Sequence, residues 1–271
     1  MSSFNNIAIL GGGNIGLSIA KGLQNSNLYD AKNIYITRRK IDILDEYKNL
    51  GFKVSSNNIE AVINSEVIII AVQPQQLNEL LTEITARLNP EKHIIISVVS
   101  GASIKAIKNY LGENIEVVRA MPNTAIAIQE SMTCISTDSK NSETLKAAQE
   151  IFNQVGKTLL IDEELMIPAT ALCACGIAFF LRAVRAASQG GIEIGFHSDE
   201  ALLMAAQTAK GAATLLLSGK AHPESEVDKV TTPRGCTISG LNQMEHNGFS
   251  SALIKGIVTS ADKAAKLYKN D

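Results

Sequence analysis

One stretch governs how this chain can fold: Ile7 to Leu23, reading IAILGGGNIGLSIAKGL. Ile7, Ala8, Ile9 and Leu10 form an apolar run without polar alternation, as a strand buried on both faces does. Gly11, Gly13 and Gly16 then spell G-x-G-x-x-G, and Ile15, Ile19 and Leu23 open a helical period. Glycines at this spacing allow a tight turn, close approach of a phosphate to backbone N–H groups, and close helix–strand packing. The helix start adds unpaired donors and a partial positive charge. A strand before and a helix after are the context a dinucleotide site requires, and the sequence reads as having both.

Alternation continues beyond this unit. Strands are expected at Asn33–Thr37, Phe52–Val54, Val67–Val72, His93–Val99, Glu116–Ala120, Met132–Ser136 and Thr158–Ile161. Helical patterns fall between them at 41–50, 58–63, 77–84, 104–111 and 141–155. Strand–helix alternation argues a parallel, doubly wound sheet. After Asp162 the chain reads helical and alanine-rich. The expected division is therefore 1–162, an α/β domain of Rossmann type, and 163–271, an all-helical domain.

The second expected strand ends in Thr37, Arg38, Arg39 and Lys40. A free ribose hydroxyl usually meets Asp or Glu at such a strand end. Positive charge instead suits a ribose 2′-phosphate, to which guanidinium offers paired donors. The cofactor expected is NADPH, with NADH the alternative.

Composition excludes several classes. With 271 residues and a net charge of −2, the chain can bury a large core and gives no electrostatic reason to bind nucleic acid or an anionic membrane. The N-terminal residues lead directly into the first strand, with no signal-peptide pattern. Cys134, Cys173, Cys175 and Cys236 show no framework or zinc spacing, and the four histidines are scattered; reduced thiols in a cytoplasmic protein and no metal are expected. Leu165 to Leu181 carries no charge but holds Pro168, Thr170 and Gly176, which reads as a helix in a core or subunit interface rather than a membrane span.

The helical half contains one segment that a plain helix would not choose: Thr231-Thr232-Pro233-Arg234-Gly235-Cys236-Thr237. Pro fixes a turn, Gly235 is expected to take an unusual backbone angle, and Thr237 to begin a helix running to His246. Successive N–H groups of Gly235, Cys236 and Thr237 would then offer a carboxylate site.

GGGNIGLSIAKGL, AVQP, ISVVSGASI, VVRAMPNT, TALCACGIAFFL, AAQTAKGAA, HPESEVDKVTTPRGCTISGL and MEHNGF follow one another in a way that resembles pyrroline-5-carboxylate reductases. The resemblance covers nearly the whole chain, and its later motifs are more specific than the glycine loop. It implies reduction of 1-pyrroline-5-carboxylate to L-proline by hydride from NADPH. It implies cofactor contacts at Gly11, Gly12, Gly13, Asn14, Ile15, Gly16, Arg38, Asn58, Ala71, Val72, Gln73, Pro74, Val98, Val99 and Ser100. It implies substrate contacts at Thr232, Gly235, Cys236 and Thr237, with the Thr237 hydroxyl catalytic near the imine nitrogen. It also implies a helical half that interlocks two chains into a homodimer, or a higher assembly of dimers.

The sequence departs from the family pattern in places. The family commonly reads A-V-K-P where Gln73 stands, S-G-S-G-P-A-Y over Cys173 to Phe179, and S-P-G-G-T-T over Thr232 to Thr237, and it has Pro where Ala125 stands. Two other readings are weighed. A non-catalytic NADPH-binding regulatory paralogue has the altered Cys173–Phe179 segment as its support. A hydroxy-acid dehydrogenase of similar build would need a Lys and an Asn on the first long helix of the second domain, and Leu165 to Ala187 has neither.

Overall fold

The computed structural model describes residues 4–27, 29–219 and 221–268. Eight strands form one sheet: β1 (Ile7–Leu10), β2 (Ile34–Thr37), β3 (Lys53–Ser55), β4 (Val67–Ile70), β5 (Ile94–Ser97), β6 (Glu116–Met121), β7 (Ser131–Thr137) and β8 (Gly156–Leu160). Helices α1 (Asn14–Asn25), α2 (Asp45–Asn49), α3 (Asn58–Ile63), α4 (Leu77–Ile84), α5 (Ile104–Leu111) and α6 (Ser142–Asn153) lie between them in the chain. The strand order is β3-β2-β1-β4-β5-β6-β7-β8, so the order reverses between β1 and β4. Loops leaving two strands at such a switch point form a crevice at their carboxyl ends.

The apolar runs explain the layering. β1, β2, β4 and β5 are buried at every position, as expected of strands covered by helices on both faces. Ile7, Ile9, Ile36 and Ile69 face a core shared with Ile19, Leu23 and Phe152, whereas Ala8, Leu10, Ile68 and Ile70 face one shared with Leu77, Leu81 and Ile107.

One pairing departs from the parallel pattern: β7 runs antiparallel to β6, pairing Cys134 with Met121, while β8 is parallel to β7. The link from Met121 to Ser131 is a short 3-10 turn, Thr124–Ile128. A parallel crossover takes about a dozen residues or more, so this link can only fold back.

The end of strand–helix alternation at 162 and the division by compactness differ. By contacts, residues up to Cys175 and from Ser260 onward form one unit, and Gly176–Thr259 form the other. The stretch after 162 stays with the sheet for two reasons. Met166 and Ala169 of α7 (Met166–Ala169) pack on Met121 and Cys134. Arg119, 4% exposed, pairs with Glu163 at 3.0 Å, and Glu163 also accepts the Ile104 N–H at 2.6 Å. At the other end, the Tyr268 hydroxyl donates to Asn78 Oδ1 at 2.8 Å.

The second unit comprises α8 (Gly176–Glu193), α9 (Ser198–Ser218), α10 (Pro223–Lys229), α11 (Cys236–His246) and most of α12 (Phe249–Ala264). It leaves many large apolar side chains exposed, among them Phe180, Leu181, Ile194, Leu203 and Leu217. The helical stretches Glu163–Glu193 and Ser198–Ser218 are long and apolar enough, by length and composition, to cross a membrane.

Candidate functional site

The switch point holds a cleft of about 590 Å³. Its walls come from three strand ends: Gly11, Gly12 and Gly13 after β1, Thr37 to Lys40 after β2, and Ala71 to Gln73 after β4. Ser56, Asn58, Gln76, Glu79, Leu80 and Glu83 complete it.

The glycine loop is built by close contacts. Gly11 has a φ of +116°, and a Cβ there would stand 2.5 Å from the Ala71 carbonyl oxygen. A Cβ on Gly16 would overlap the Gly11 carbonyl oxygen. The N–H groups of Gly11 and Gly12 both donate to the Thr37 carbonyl, at 3.2 and 2.7 Å, which fixes the turn. Gly13 differs, because a Cβ there would meet nothing within 4 Å. Its bareness serves no packing inside the protein and leaves room for an approaching group. Gly13 caps α1 without a side-chain hydrogen bond, and the first turn of α1 carries no acid. Helix geometry leaves the N–H groups of Asn14, Ile15 and Gly16 without intrahelical partners. Bare donors, an uncompensated helix dipole and open space at Gly13 fit a pyrophosphate.

Polar contacts set the remaining wall. Thr37 Oγ1 donates to Asn58 Oδ1 at 2.6 Å, and Asn58 Nδ2 donates to Glu83 at 2.9 Å. Arg38 Nη1 donates to the Gly12 carbonyl. Arg39 is engaged with Glu79 at 2.6 Å, both side chains being exposed.

Of the residues named from the sequence, the cleft is lined by Gly11, Gly12, Gly13, Arg38, Asn58, Ala71, Val72 and Gln73. Asn14, Ile15 and Gly16 stand in the first turn of α1, and Pro74 opens the 3-10 turn after β4. Val98 and Val99 are buried and Ser100 half-buried just past β5, outside the lining. Sequence reasoning missed Ser56, Gln76, Glu79, Leu80 and Glu83. The only available signal was helical spacing in α4, which puts Glu79 and Glu83 on one side.

In the second unit, the Thr232–Thr237 segment forms a tight turn followed by α11. Gly235 N–H donates to the Thr232 carbonyl at 2.9 Å, and Arg234 has a φ of +59°. With Pro233 ahead of it, a positive φ at the third position is the type II pattern, which normally demands Gly there. Two expectations are corrected here. Gly235 takes an ordinary φ of −73°, so the unusual angle falls on Arg234 instead. The Gly235 N–H is also spent within the turn, leaving Cys236 and Thr237 as the donors at the helix start. Gly235 is required for space: a Cβ would lie 2.6 Å from Thr232 Oγ1. The helix begins at Cys236, one residue before Thr237, and no side chain of its N-cap satisfies it.

Among the described residues no cluster of three or more His, Cys, Asp or Glu could hold a metal ion.

The comparisons bear on this geometry. Residues 163–267 match the family model described as pyrroline-5-carboxylate reductase dimerisation, and residues 6–101 match one described as NADP oxidoreductase, coenzyme F420-dependent. The chain is 48% identical over 277 residues to pyrroline-5-carboxylate reductase 2 of Dictyostelium discoideum, covering 96% of this chain and 92% of that protein. The chain belongs to the pyrroline-5-carboxylate reductase family. It is also 53% identical to reductase 1 of the same organism, over 97% of this chain but only half the length of that relative. The crystal structure of Plasmodium falciparum pyrroline carboxylate reductase with NADP bound shares the fold, with a TM-score of 0.90 over 99% of this chain and all of that one, at 24% identity.

Proposed function

We propose that the chain reduces 1-pyrroline-5-carboxylate to L-proline with NADPH as hydride donor. The observation that carries this reading is 48% identity to a reductase of that name along nearly the full length of both chains. NADPH, when bound, supplies a hydride to the C=N carbon. The chain's residues then have to bind, orient and exclude water, because an iminium carbon needs no further activation by a metal.

The first-turn N–H groups of α1 hold the pyrophosphate against bare Gly13, and Arg38 at the β2 end faces the 2′-phosphate. Ala71 to Pro74 and Val98 to Ser100 flank the nicotinamide half, and Asn58, fixed by Thr37, holds the adenosine half. In the helical half, the Cys236 and Thr237 N–H groups take the substrate carboxylate, with Thr232 and Gly235 shaping the turn that presents them. The Thr237 hydroxyl meets the ring nitrogen as it becomes an amine.

Two chains associate through the helical half, because one protomer leaves Phe180, Leu181, Leu203 and Leu217 in water, an arrangement that marks an interface. The dimerisation family model over 163–267 supports the same reading. A cytoplasmic site of action agrees with four free thiols.

The deciding experiment follows NADPH oxidation by purified protein against a panel of cyclic imines and 2-keto acids. Rapid turnover with pyrroline-5-carboxylate alone supports the proposal. Turnover only with an open-chain keto acid overturns it, and cofactor binding without any turnover favours the regulatory paralogue.

A further inference from the structure

Cys134 and Cys173 are 39 residues apart in sequence, yet their sulfurs stand 3.8 Å from each other. Cys134 is buried in mid-strand on β7, paired with Met121 on one side and Leu159 on the other. Cys173 is half-buried in a widened turn of π-type over Thr170–Cys175, and its carbonyl accepts from Asn123 Nδ2 at 3.2 Å. Met121, Met166 and Ala169 enclose the pair in an apolar cluster. Neither cysteine lines the cofactor cleft.

We propose that Cys134 and Cys173 are a reversible dithiol–disulfide pair, oxidised by hydrogen peroxide. Closing from 3.8 Å to the S–S bond length of about 2 Å takes side-chain rotation and a small shift. A π-type turn carries one residue more than an α turn and can absorb that shift without unwinding its neighbours. The two thiols also divide the work. The contact between the two sulfurs, in which either can be the donor, lowers the Cys173 thiol from its ordinary value, while the same contact and burial push Cys134 up. Cys173 is half-buried where Cys134 is fully buried, so Cys173 is the sulfur an oxidant reaches and Cys134 the resolving thiol.

The chemistry balances. Cys173 thiolate attacks one peroxide oxygen, breaking the O–O bond to give a sulfenic acid, and the departing hydroxide takes up a proton as water. Cys134 sulfur attacks the Cys173 sulfur, the S–S bond forms, and the sulfenic oxygen leaves as a second water with the Cys134 proton. Two thiols are oxidised by two electrons, and one hydrogen peroxide is reduced. An external dithiol restores the pair. The bond ties β7 to the turn directly ahead of α8 in the chain and keeps Cys173 from irreversible oxidation.

The test uses reduced full-length protein exposed to a modest excess of hydrogen peroxide, alkylated under denaturing conditions and digested for mass spectrometry. The expected result is a peptide pair joined through Cys134 and Cys173, with both losing alkylation in equal measure and regaining it after dithiothreitol. In Cys134→Ser, Cys173 accumulates as sulfinic acid instead. The proposal is overturned if Cys134 stays alkylatable in the oxidised wild-type protein, if Cys173 joins Cys175 or Cys236, or if neither thiol reacts. The wild-type measurement decides by itself should Cys134→Ser not fold.

Discussion

Arg38 donates through Nη1 to the carbonyl oxygen of Gly12, so one guanidinium both braces the glycine loop and stands at the rim of the cleft. Losing a charge-assisted contact costs about 1.5–3 kcal/mol. Arg38→Ala should therefore weaken NADPH binding by roughly ten- to a hundredfold. NADH should lose less, since only the brace to Gly12 is shared by both cofactors. Isothermal titration with each cofactor checks this, and equal losses would remove Arg38 from the 2′-phosphate site.

Gly13 and Gly16 separate binding from folding. Gly16 meets the Gly11 carbonyl at a distance no Cβ tolerates, whereas Gly13 meets nothing. Gly16→Ala should lower thermal stability or abolish soluble protein. Gly13→Ala should change stability by no more than about 1 kcal/mol, yet weaken both cofactors by roughly tenfold or more, or about 1.4 kcal/mol. Full cofactor affinity in folded Gly13→Ala would mean the pyrophosphate lies elsewhere.

These contrasts bear on what the sequence could reveal. Local signals carried far: the apolar run Ile7–Leu10, the glycine spacing and the period of Ile15, Ile19 and Leu23 specify β1, the loop and α1 without reference to the rest of the chain. The reversed direction of β7 was hidden, because Met132–Ser136 has the same composition whichever way it pairs, and only the short link to β6 decides. Helical spacing places Glu79 and Glu83 on one side of α4, but that this side and Ser56 wall the cleft follows from the sheet order, which no local pattern encodes. Arg234 misleads for another reason. A left-handed residue in a type II turn is expected to be Gly, and here the glycine stands one position later.

Phe180 is 62% exposed in a single chain, and the proposed interface through the helical half is what would cover it. Phe180→Glu should accordingly fold as a protomer but associate poorly. Light scattering should give twice 29.0 kDa for the wild type and a mass falling toward one chain for the variant at micromolar concentration. A monomeric wild type, or a variant that dimerises unchanged, would contradict the proposed interface.

His93 is 3% exposed, and its Nδ1 accepts the Asn89 N–H at 2.9 Å. Burial first, and then the charge of Lys92, push its folded pKa below the ordinary value. The unfolded chain, with a His pKa near ~6.5, therefore binds this proton more readily than the folded one. Stability from this residue is complete above that pH and falls as pH drops through it, by at most about 1.4 kcal/mol per pH unit. Denaturation midpoints between pH 7.5 and 5 should fall more steeply for the wild type than for His93→Gln. Parallel curves would show that His93 titrates alike in both states.

The turn ahead of α11 offers the sharpest test of the substrate reading. Arg234 pays a backbone cost at φ +59° that Gly would not. Arg234→Gly should thus hold or raise the melting temperature, by up to about 1 kcal/mol of stability, and leave turnover intact if its guanidinium has no part in binding. Gly235→Val should fail sterically, since its branches would enter the space of Thr232 Oγ1 and spread the hydrogen bond that closes the turn. Cys236→Ala should change little, because that residue contributes a backbone N–H. Thr237→Ala removes the hydroxyl but keeps the helix start, at about 1–3 kcal/mol of transition-state stabilisation. That corresponds to roughly one or two orders of magnitude in kcat/KM for pyrroline-5-carboxylate, with NADPH affinity unchanged. Thr237→Ser should recover most of the loss, as it returns the hydroxyl alone. If Thr237→Ala and Gly235→Val both turn over at the wild-type rate, the carboxylate is held by some other helix start.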